Sequence, residues 1–506
     1  MKKQVSFLIV LLLLLQQLQA NVKLPAVIAD NMVLQQQTTV ALWGWADPGE
    51  EIQVTAGWNN QVAKVTANAN GNWLVRMNTI KAGGPYTLEF KGHNSIRVSN
   101  VLLGEVWLCS GQSNMEFPLA KGQGWRTGIN DYEKETAAAN YPEMRLFTVK
   151  QAVSGEPLKN VEGSWGACTP GTAAGFSAVA YFFARKLIQE TGIPVGMIHS
   201  SWGGTPAESW VSREVLESNE ILQPVLTRYD NAVTAYPEVQ KKYAADLDAW
   251  KKAPKDTAKP EPKKPVDPMK DSKSPTKLYN AMIHPLVPYT LKGVIWYQGE
   301  SNSARAYQYR TLFPALINSW RKEWQASLPF YFVQIATHYK QHPEIREAQL
   351  MTYRSVPNTG IVVITDLGDS TDIHPRNKQP VGERLARWAL AKQYGRKDLV
   401  YSGPLYKSAE QKGNKMILAF DHAEGLNSPE ALLGEFVIAG TDKKFVKANA
   451  KIVGNTIEVW SDEVIKPAAV RFAWKPFSRP ALFNKAGLPA SPFRTDDWPG
   501  ETEGKY

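Results

Sequence analysis

Four short polar motifs, each placed where a run of strand-forming residues stops, constrain this chain more than any other feature. Val101 to Cys109 is almost continuously apolar, as expected of a strand covered on both faces, and Ser110-Gly111-Gln112-Ser113-Asn114-Met115 follows it. Val195 to His199 leads into Ser200-Ser201-Trp202-Gly203-Gly204-Thr205, and Val294 to Tyr297 leads into Gln298-Gly299-Glu300-Ser301-Asn302. Ile361 to Thr365 leads into an acidic loop, Asp366 to Asp372, and then His374-Pro375. Helix-forming segments separate these strands. Ser177 caps one whose apolar residues Ala180, Phe183, Ala184, Leu187 and Ile188 keep the spacing of one helix face, and Gly192 with Pro194 ends it. Tyr307 to Trp324, Glu344 to Arg354 and Val381 to Tyr394 read as further helices, and Phe330 to Ala336 as a further strand. Alternating strands and helices predict an α/β fold with a parallel sheet. In such sheets the chemistry sits in loops at the carboxyl ends of the strands, so the four motifs are expected to converge.

The flanks differ. From Leu24 to Ser99, short alternating segments such as Thr39 to Trp45 and Trp73 to Arg76 are broken by turn signals at Asp47-Pro48-Gly49, Asn70-Gly71-Asn72 and Gly83-Gly84-Pro85. This predicts a small β-sandwich over 21–100, ahead of a catalytic domain over 101–400. β-like segments return in a C-terminal region, 401–506, for example Thr456 to Trp460. Residues 212–276 read as an insertion, polar and helical at first and then Pro/Lys-rich and partly mobile from Pro254 to Pro275.

Met1-Lys2-Lys3, the apolar run Phe7 to Leu15 and the small residue Ala20 predict a secretory signal peptide over 1–20, and hence a chain acting in the periplasm or outside the cell. The run is too short to span a bilayer, and no membrane span is expected in the mature chain. The net charge of +10 is misleading, because nine lysines and four acids lie between Lys251 and Lys277. That stretch has no aromatic residue, which argues against nucleic-acid binding. Cys109 and Cys168 either pair after export or stay as buried thiols.

The motif residues fit acyl transfer. A serine hydroxyl needs a base, and histidine serves near neutral pH. Of seven histidines, His93 and His422 fall in the β flanks, His199 falls in or at the end of a strand, and His284, His338 and His342 lie away from an acidic cluster. His374 alone follows such a cluster in a strand-end loop. Ser113 is then the nucleophile, and Asp372, two residues before the base, is the natural orienter, with Asp369 and Asp366 as alternatives. An oxyanion needs fixed donors: the backbone N–H groups of Ser113 and of Gly203 or Gly204, and a side-chain amide from Gln298 or Asn302.

Gly111-Gln112-Ser113-Asn114-Met115, Trp202-Gly203-Gly204-Thr205, Trp296-Tyr297-Gln298-Gly299-Glu300-Ser301 and Asp372-Ile373-His374-Pro375 resemble, in order, the blocks of the sialate O-acetylesterase family, a branch of the SGNH hydrolases. Leu278 to Pro285 and Gly487 to Arg494 extend the resemblance over nearly the whole mature chain. The resemblance implies a three-layer α/β/α catalytic domain, no cofactor or metal, and hydrolysis of O-acetyl esters on a glycan or sialic acid. The third block departs from the Gly-x-Asn-Asp of SGNH enzymes, which leaves Gln298 and Asn302 as alternatives, and Thr371 stands three residues before the histidine where an acid is common. Two rival readings are an esterase of acetylated plant polysaccharide such as xylan, and an inactive glycan-binding protein of the same fold. Oligomeric state is left open by these residues.

Overall fold

The computed structural model describes residues 21–253, 260–430 and 433–506. The leader expected over 1–20, and residues 254–259 of the Pro/Lys-rich run, lie outside the described residues. Among the described residues no helix is long and apolar enough to cross a membrane.

The central sheet has the spatial order Thr359–Val362, Phe330–Val333, Gly293–Tyr297, Ser95–Gly111, Val195–Ser201, Tyr141–Thr148 and Trp165–Cys168. Neighbours are parallel except for the last pair, which is antiparallel. Trp107 and Trp296 occupy positions of opposite parity in the register, since Gly293 pairs with Trp107 and Trp296 with Ser110, so they leave the sheet on opposite faces. Trp107 meets Phe183 of the helix Ala178–Thr191 edge-on at 5.0 Å. Trp296 meets Phe313 and Trp320 of the helix Ala306–Trp324 at 6.2 and 5.7 Å. Both tryptophans are fully buried, and burial of such large apolar surfaces on each side holds the sheet between its helices.

The helix signals act as expected. Ser177 Oγ accepts the Ala180 N–H at 3.2 Å, and Gly192 closes the helix at φ +66°, a conformation that glycine adopts without a Cβ clash. The helices expected near 307, 344 and 381 span Ala306–Trp324, Pro343–Ser355 and Gln379–Gln393. Cys109 and Cys168 are both buried and both unpaired.

In the N-terminal region, Trp73 of the antiparallel pair formed by Thr39–Trp45 and Asn72–Asn78 packs at 5.9 Å on Phe90 of Gly83–Lys91, which belongs to the facing sheet. That facing sheet ends on Ser95–Gly111, a single strand of 17 residues that pairs with Gly83–Lys91 at its start and with the catalytic strands at its end. Residue 100 therefore lies within one continuous strand. The C-terminal region forms two four-stranded sheets around its own apolar core. It is fastened to a helix and two loops beside the central sheet by polar contacts: Arg494 Nε donates to Glu347 Oε1 at 2.7 Å, Thr337 Oγ1 to the Ser478 carbonyl at 2.7 Å, and Arg479 Nη2 to the Gly368 carbonyl at 2.9 Å.

Candidate active site

The four motifs meet at the carboxyl edge of the sheet. Strand Ser95–Gly111 stops at Gly111, whose φ of +141° and close approach to Tyr297 exclude a side chain: a Cβ there would lie 2.1 Å from the Tyr297 carbonyl oxygen. The chain turns at once into the short helix Ser113–Glu116, which places the Ser113 side chain at the end of the strand. His374 Nε2 lies 2.9 Å from Ser113 Oγ, a hydrogen bond across 261 residues of sequence.

The imidazole is held from several sides. Trp125 stacks on it at 4.7 Å and 26°, with Phe117 next to both. Asp372 Oδ1 lies 3.6 Å from His374 Nδ1 and accepts the His374 backbone N–H at 2.8 Å. The other two acids of the loop have different work. Asp366 is clamped by both Nη atoms of Arg384, at 2.8 and 2.6 Å. Asp369 Oδ1 accepts the N–H groups of Thr371 and Asp372, at 2.7 and 3.0 Å, as a turn cap. Asp372 is the only one of the three in contact with the imidazole among the described residues.

Burial, helped by the Lys378 charge, lowers the His374 pKa to about 4, against an opposing pull from Asp372. The ring is thus neutral near pH 7, the state in which it can accept a proton. Lys378 is itself buried, and desolvation brings its pKa down to about 7 despite Glu300 and Asp372. Its ammonium donates to Asn114 Oδ1, and Asn114 Nδ2 donates to Glu300 Oε1 at 2.6 Å and to the Ile373 carbonyl at 3.0 Å. One asparagine thereby ties the serine loop to the Glu300 loop and to the residue before His374. Sequence reasoning missed Lys378, Trp125 and the pair Glu116–Arg126. Asn114 and Glu300 were inside the quoted motifs without a role, and a buried acid in a strand-end loop is itself a signal for a buried cation.

The expected oxyanion donors divide. A Cβ on Gly203 would lie 3.3 Å from Ser113 Cβ, so this glycine lets the second motif close over the serine. Its N–H donates to Glu116 Oε2 at 2.6 Å, and Glu116 also pairs with Arg126. The N–H groups of Ser113 and Gly204 have no acceptor among the described residues. Gln298 Nε2 donates to Asn302 Oδ1 at 2.7 Å and to the Thr205 carbonyl at 3.4 Å, using both amide protons. Asn302 Nδ2 donates to Glu208 Oε2 at 2.7 Å and keeps one proton in hand. His199 is buried in its strand with Nε2 2.5 Å from Ser201 Oγ, as its position in the sequence suggested.

A neutral imidazole on a serine hydroxyl, with uncommitted N–H groups beside it, is the equipment of acyl transfer. Comparison with known proteins points to ester hydrolysis on carbohydrate. The family model described as carbohydrate esterase, sialic acid-specific acetylesterase matches residues 103–261 and 267–391. The sialate O-acetylesterase of Rattus norvegicus is 34% identical over 434 residues, covering 75% of each chain. That of Homo sapiens is 30% identical over 532 residues, covering 94% of this chain and 93% of the human one. A crystal structure of a carbohydrate acetylesterase from Xanthomonas citri is similar with a TM-score of 0.79 at 38% identity, over 94% of this chain and 100% of that one. The chain belongs to the sialic acid-specific acetylesterase family of carbohydrate esterases and is a carboxylic ester hydrolase.

Proposed function

We propose that this carbohydrate acetylesterase is a secreted serine esterase with the three-layer SGNH arrangement, removing O-acetyl groups from sialic acid through an acetyl-serine intermediate. The 2.9 Å contact between Ser113 Oγ and His374 Nε2 carries the reading. In the first half-reaction His374 Nε2 takes the hydroxyl proton as Oγ attacks the acetyl carbonyl. The negative oxygen that forms is met by the N–H groups of Ser113 and Gly204 and by the spare amide proton of Asn302. Gln298, with both protons spent, then acts by fixing Asn302, and the Gly203 N–H stays with Glu116. The C–O bond to the sugar breaks, and the departing oxygen takes the proton from the imidazolium. Water, deprotonated by the same nitrogen, attacks the acetyl-serine and releases acetate. The leader at 1–20 is the support for secretion.

The test is acetate release from O-acetylated sialic acid and from acetylated xylan, with acid-quenched protein analysed by mass spectrometry. Faster release from the sialic acid, together with a gain of one acetyl group on the peptide containing Ser113, is the expected result. Turnover of xylan alone would reassign the substrate, and an acetyl group on another residue would remove Ser113 from its role.

Two further results follow from the site. The lowered His374 pKa means that the ring gains its proton only as pH falls through about 4, so the acid limb of kcat/KM should lie near there and not near 6.5. A pH profile of 4-nitrophenyl acetate hydrolysis reads this directly, and a limb at 6 or above contradicts it. Asp372→Asn should lower kcat by roughly 10- to 100-fold, less than a buried triad acid would, because the carboxylate is half exposed and its hold on the ring is shared with Trp125 stacking. Asp369→Asn should cost less, since its bonds are to the turn. The reverse order in a kcat comparison would name Asp369 the orienter.

A further inference from the structure

The insertion adds a wall to the active-site region. In its helix Gln223–Lys252, Val225, Arg228, Tyr229 and Ala232 fall on one face by their spacing, and all four line a cavity of about 510 Å³. That size suits a small-molecule site, roughly 300–1,000 Å³. The opposite wall is the active-site loops themselves, with Gly204 and Ser301 on the lining. Gly204 follows the glycine that touches Ser113, and the Ser301 N–H donates at 3.3 Å to Gln112 Oε1, one residue before Ser113. Two residues of the lining are thus linked to the immediate surroundings of Ser113.

Its charges are unbalanced. Arg228, Arg305 and Lys273 line it, against the carboxylates of Glu208 and Asp271. Glu208 is shared: Oε1 takes Arg305 Nη2 at 2.6 Å and stands 4.0 Å from Arg228 Nη2, while Oε2 takes Asn302. Asp271 Oδ1 already accepts the Lys273 backbone N–H at 2.9 Å. The Arg228 guanidinium makes no hydrogen bond among the described residues, and the buried Nε of Arg305 has no acceptor. Two guanidiniums thus face one carboxylate, with donors left over. Burial and the charge of Arg305 both lower the Arg228 pKa, the mark of a cation that lacks a full counter-charge.

We propose that this cavity, walled by the helix Gln223–Lys252, is where the carboxylate of an acidic sugar is gripped, with Arg228 beside Arg305 as the residues that set the preference for the charged substrate. A planar fork of donors matches a carboxylate, and an anion there relieves the repulsion between the two arginines. Sialic and uronic acids share this chemistry. The inference rests on Ser113 as the site of deacetylation.

The experiment compares kcat/KM for an O-acetylated sugar acid with that for its methyl ester, which removes the charge and keeps the reacting acetyl group. One arm uses O-acetylated N-acetylneuraminic acid and the other an O-acetylated galacturonic acid. In the parent protein the acid should be preferred by about 10-fold or more in one arm, and that arm identifies the source. In Arg228→Ala the acid-to-ester ratio should fall towards one, and Arg228→Lys should restore part of it. A ratio near one in the parent in both arms, or a ratio untouched by Arg228→Ala, overturns the subsite. Should the parent hydrolyse neither the sugars nor 4-nitrophenyl acetate, the esterase reading is what fails. Calorimetric binding of N-acetylneuraminic acid and galacturonic acid, against their methyl esters, then decides the subsite by the same preference and the same loss in Arg228→Ala.

Discussion

Ser113→Ala is expected to lower kcat for 4-nitrophenyl acetate by about 10⁴-fold or more, with the fold unchanged. The hydroxyl has one hydrogen-bond partner among the described residues, His374 Nε2, so its loss breaks no structural network. The turn that carries it is set by backbone, by Gly111 pressed against Tyr297 and by Gln112 accepting the N–H of Glu116 at 2.9 Å, and survives the substitution. Alanine leaves the neighbouring N–H donors in place, which accounts for the residual rate expected over water. The checks are a steady-state assay, with a thermal melt and circular dichroism that match the parent. A variant that keeps a tenth of the parental kcat would require another nucleophile, and the buried Ser201 beside His199 would be the first to test.

His374→Ala is expected to fall by a similar factor, about 10⁴-fold, and the double variant Ser113→Ala/His374→Ala should be scarcely slower than either single one. In the proposed mechanism the two side chains perform one step: the oxygen is a nucleophile only while the nitrogen takes its proton, so removing either removes the step. The vacated space is walled by the ring of Trp125, with Phe117 beyond it, and is the shape of an imidazole. Added imidazole should therefore return a measurable part of the activity in His374→Ala and none in Ser113→Ala. Losses that multiply in the double variant would show that the two residues act in separate steps.

Much of this was legible before any coordinates, and the legible part has a physical basis. The period-3.6 spacing of a buried helix face marked the helix beginning near 178, and short apolar runs, as expected of strands covered on both faces, marked those at 195, 293 and 330. The last two strands of the central sheet, Tyr141–Thr148 and Trp165–Cys168, went unread. The first starts with Tyr141-Pro142-Glu143 and holds a buried Arg145, whose guanidinium is met by the Pro142 carbonyl at 2.9 Å and Asn100 Oδ1 at 3.2 Å. No local pattern reveals an arginine paid for by a partner 45 residues away. In the candidate site the strand-end rule anticipated that His374 would reach Ser113 with Asp372 beside it and Gly203 against the serine, while Gln298 and Asn302 are joined to the second motif through Thr205 and Ala207. It was silent on Lys378, which reads as an ordinary surface lysine before a helix, and on Trp125, whose significance comes from the ring it lies against. The acidic loop shows the same division: its position was readable, while the separate duties of Asp366, Asp369 and Asp372 depend on Arg384 and on turn geometry.

The strand Ser95–Gly111 belongs to two layers at once, and this sets how the molecule can be taken apart. Cutting the chain at residue 100 would amputate the beginning of the rod on whose tip Ser113 stands, and would strip the edge that Val33–Gln35 and Gly83–Lys91 cover. The amino-terminal strands are thus a splint for the region that carries Ser113, and swapping them for a foreign module would mean rebuilding the seat of that serine.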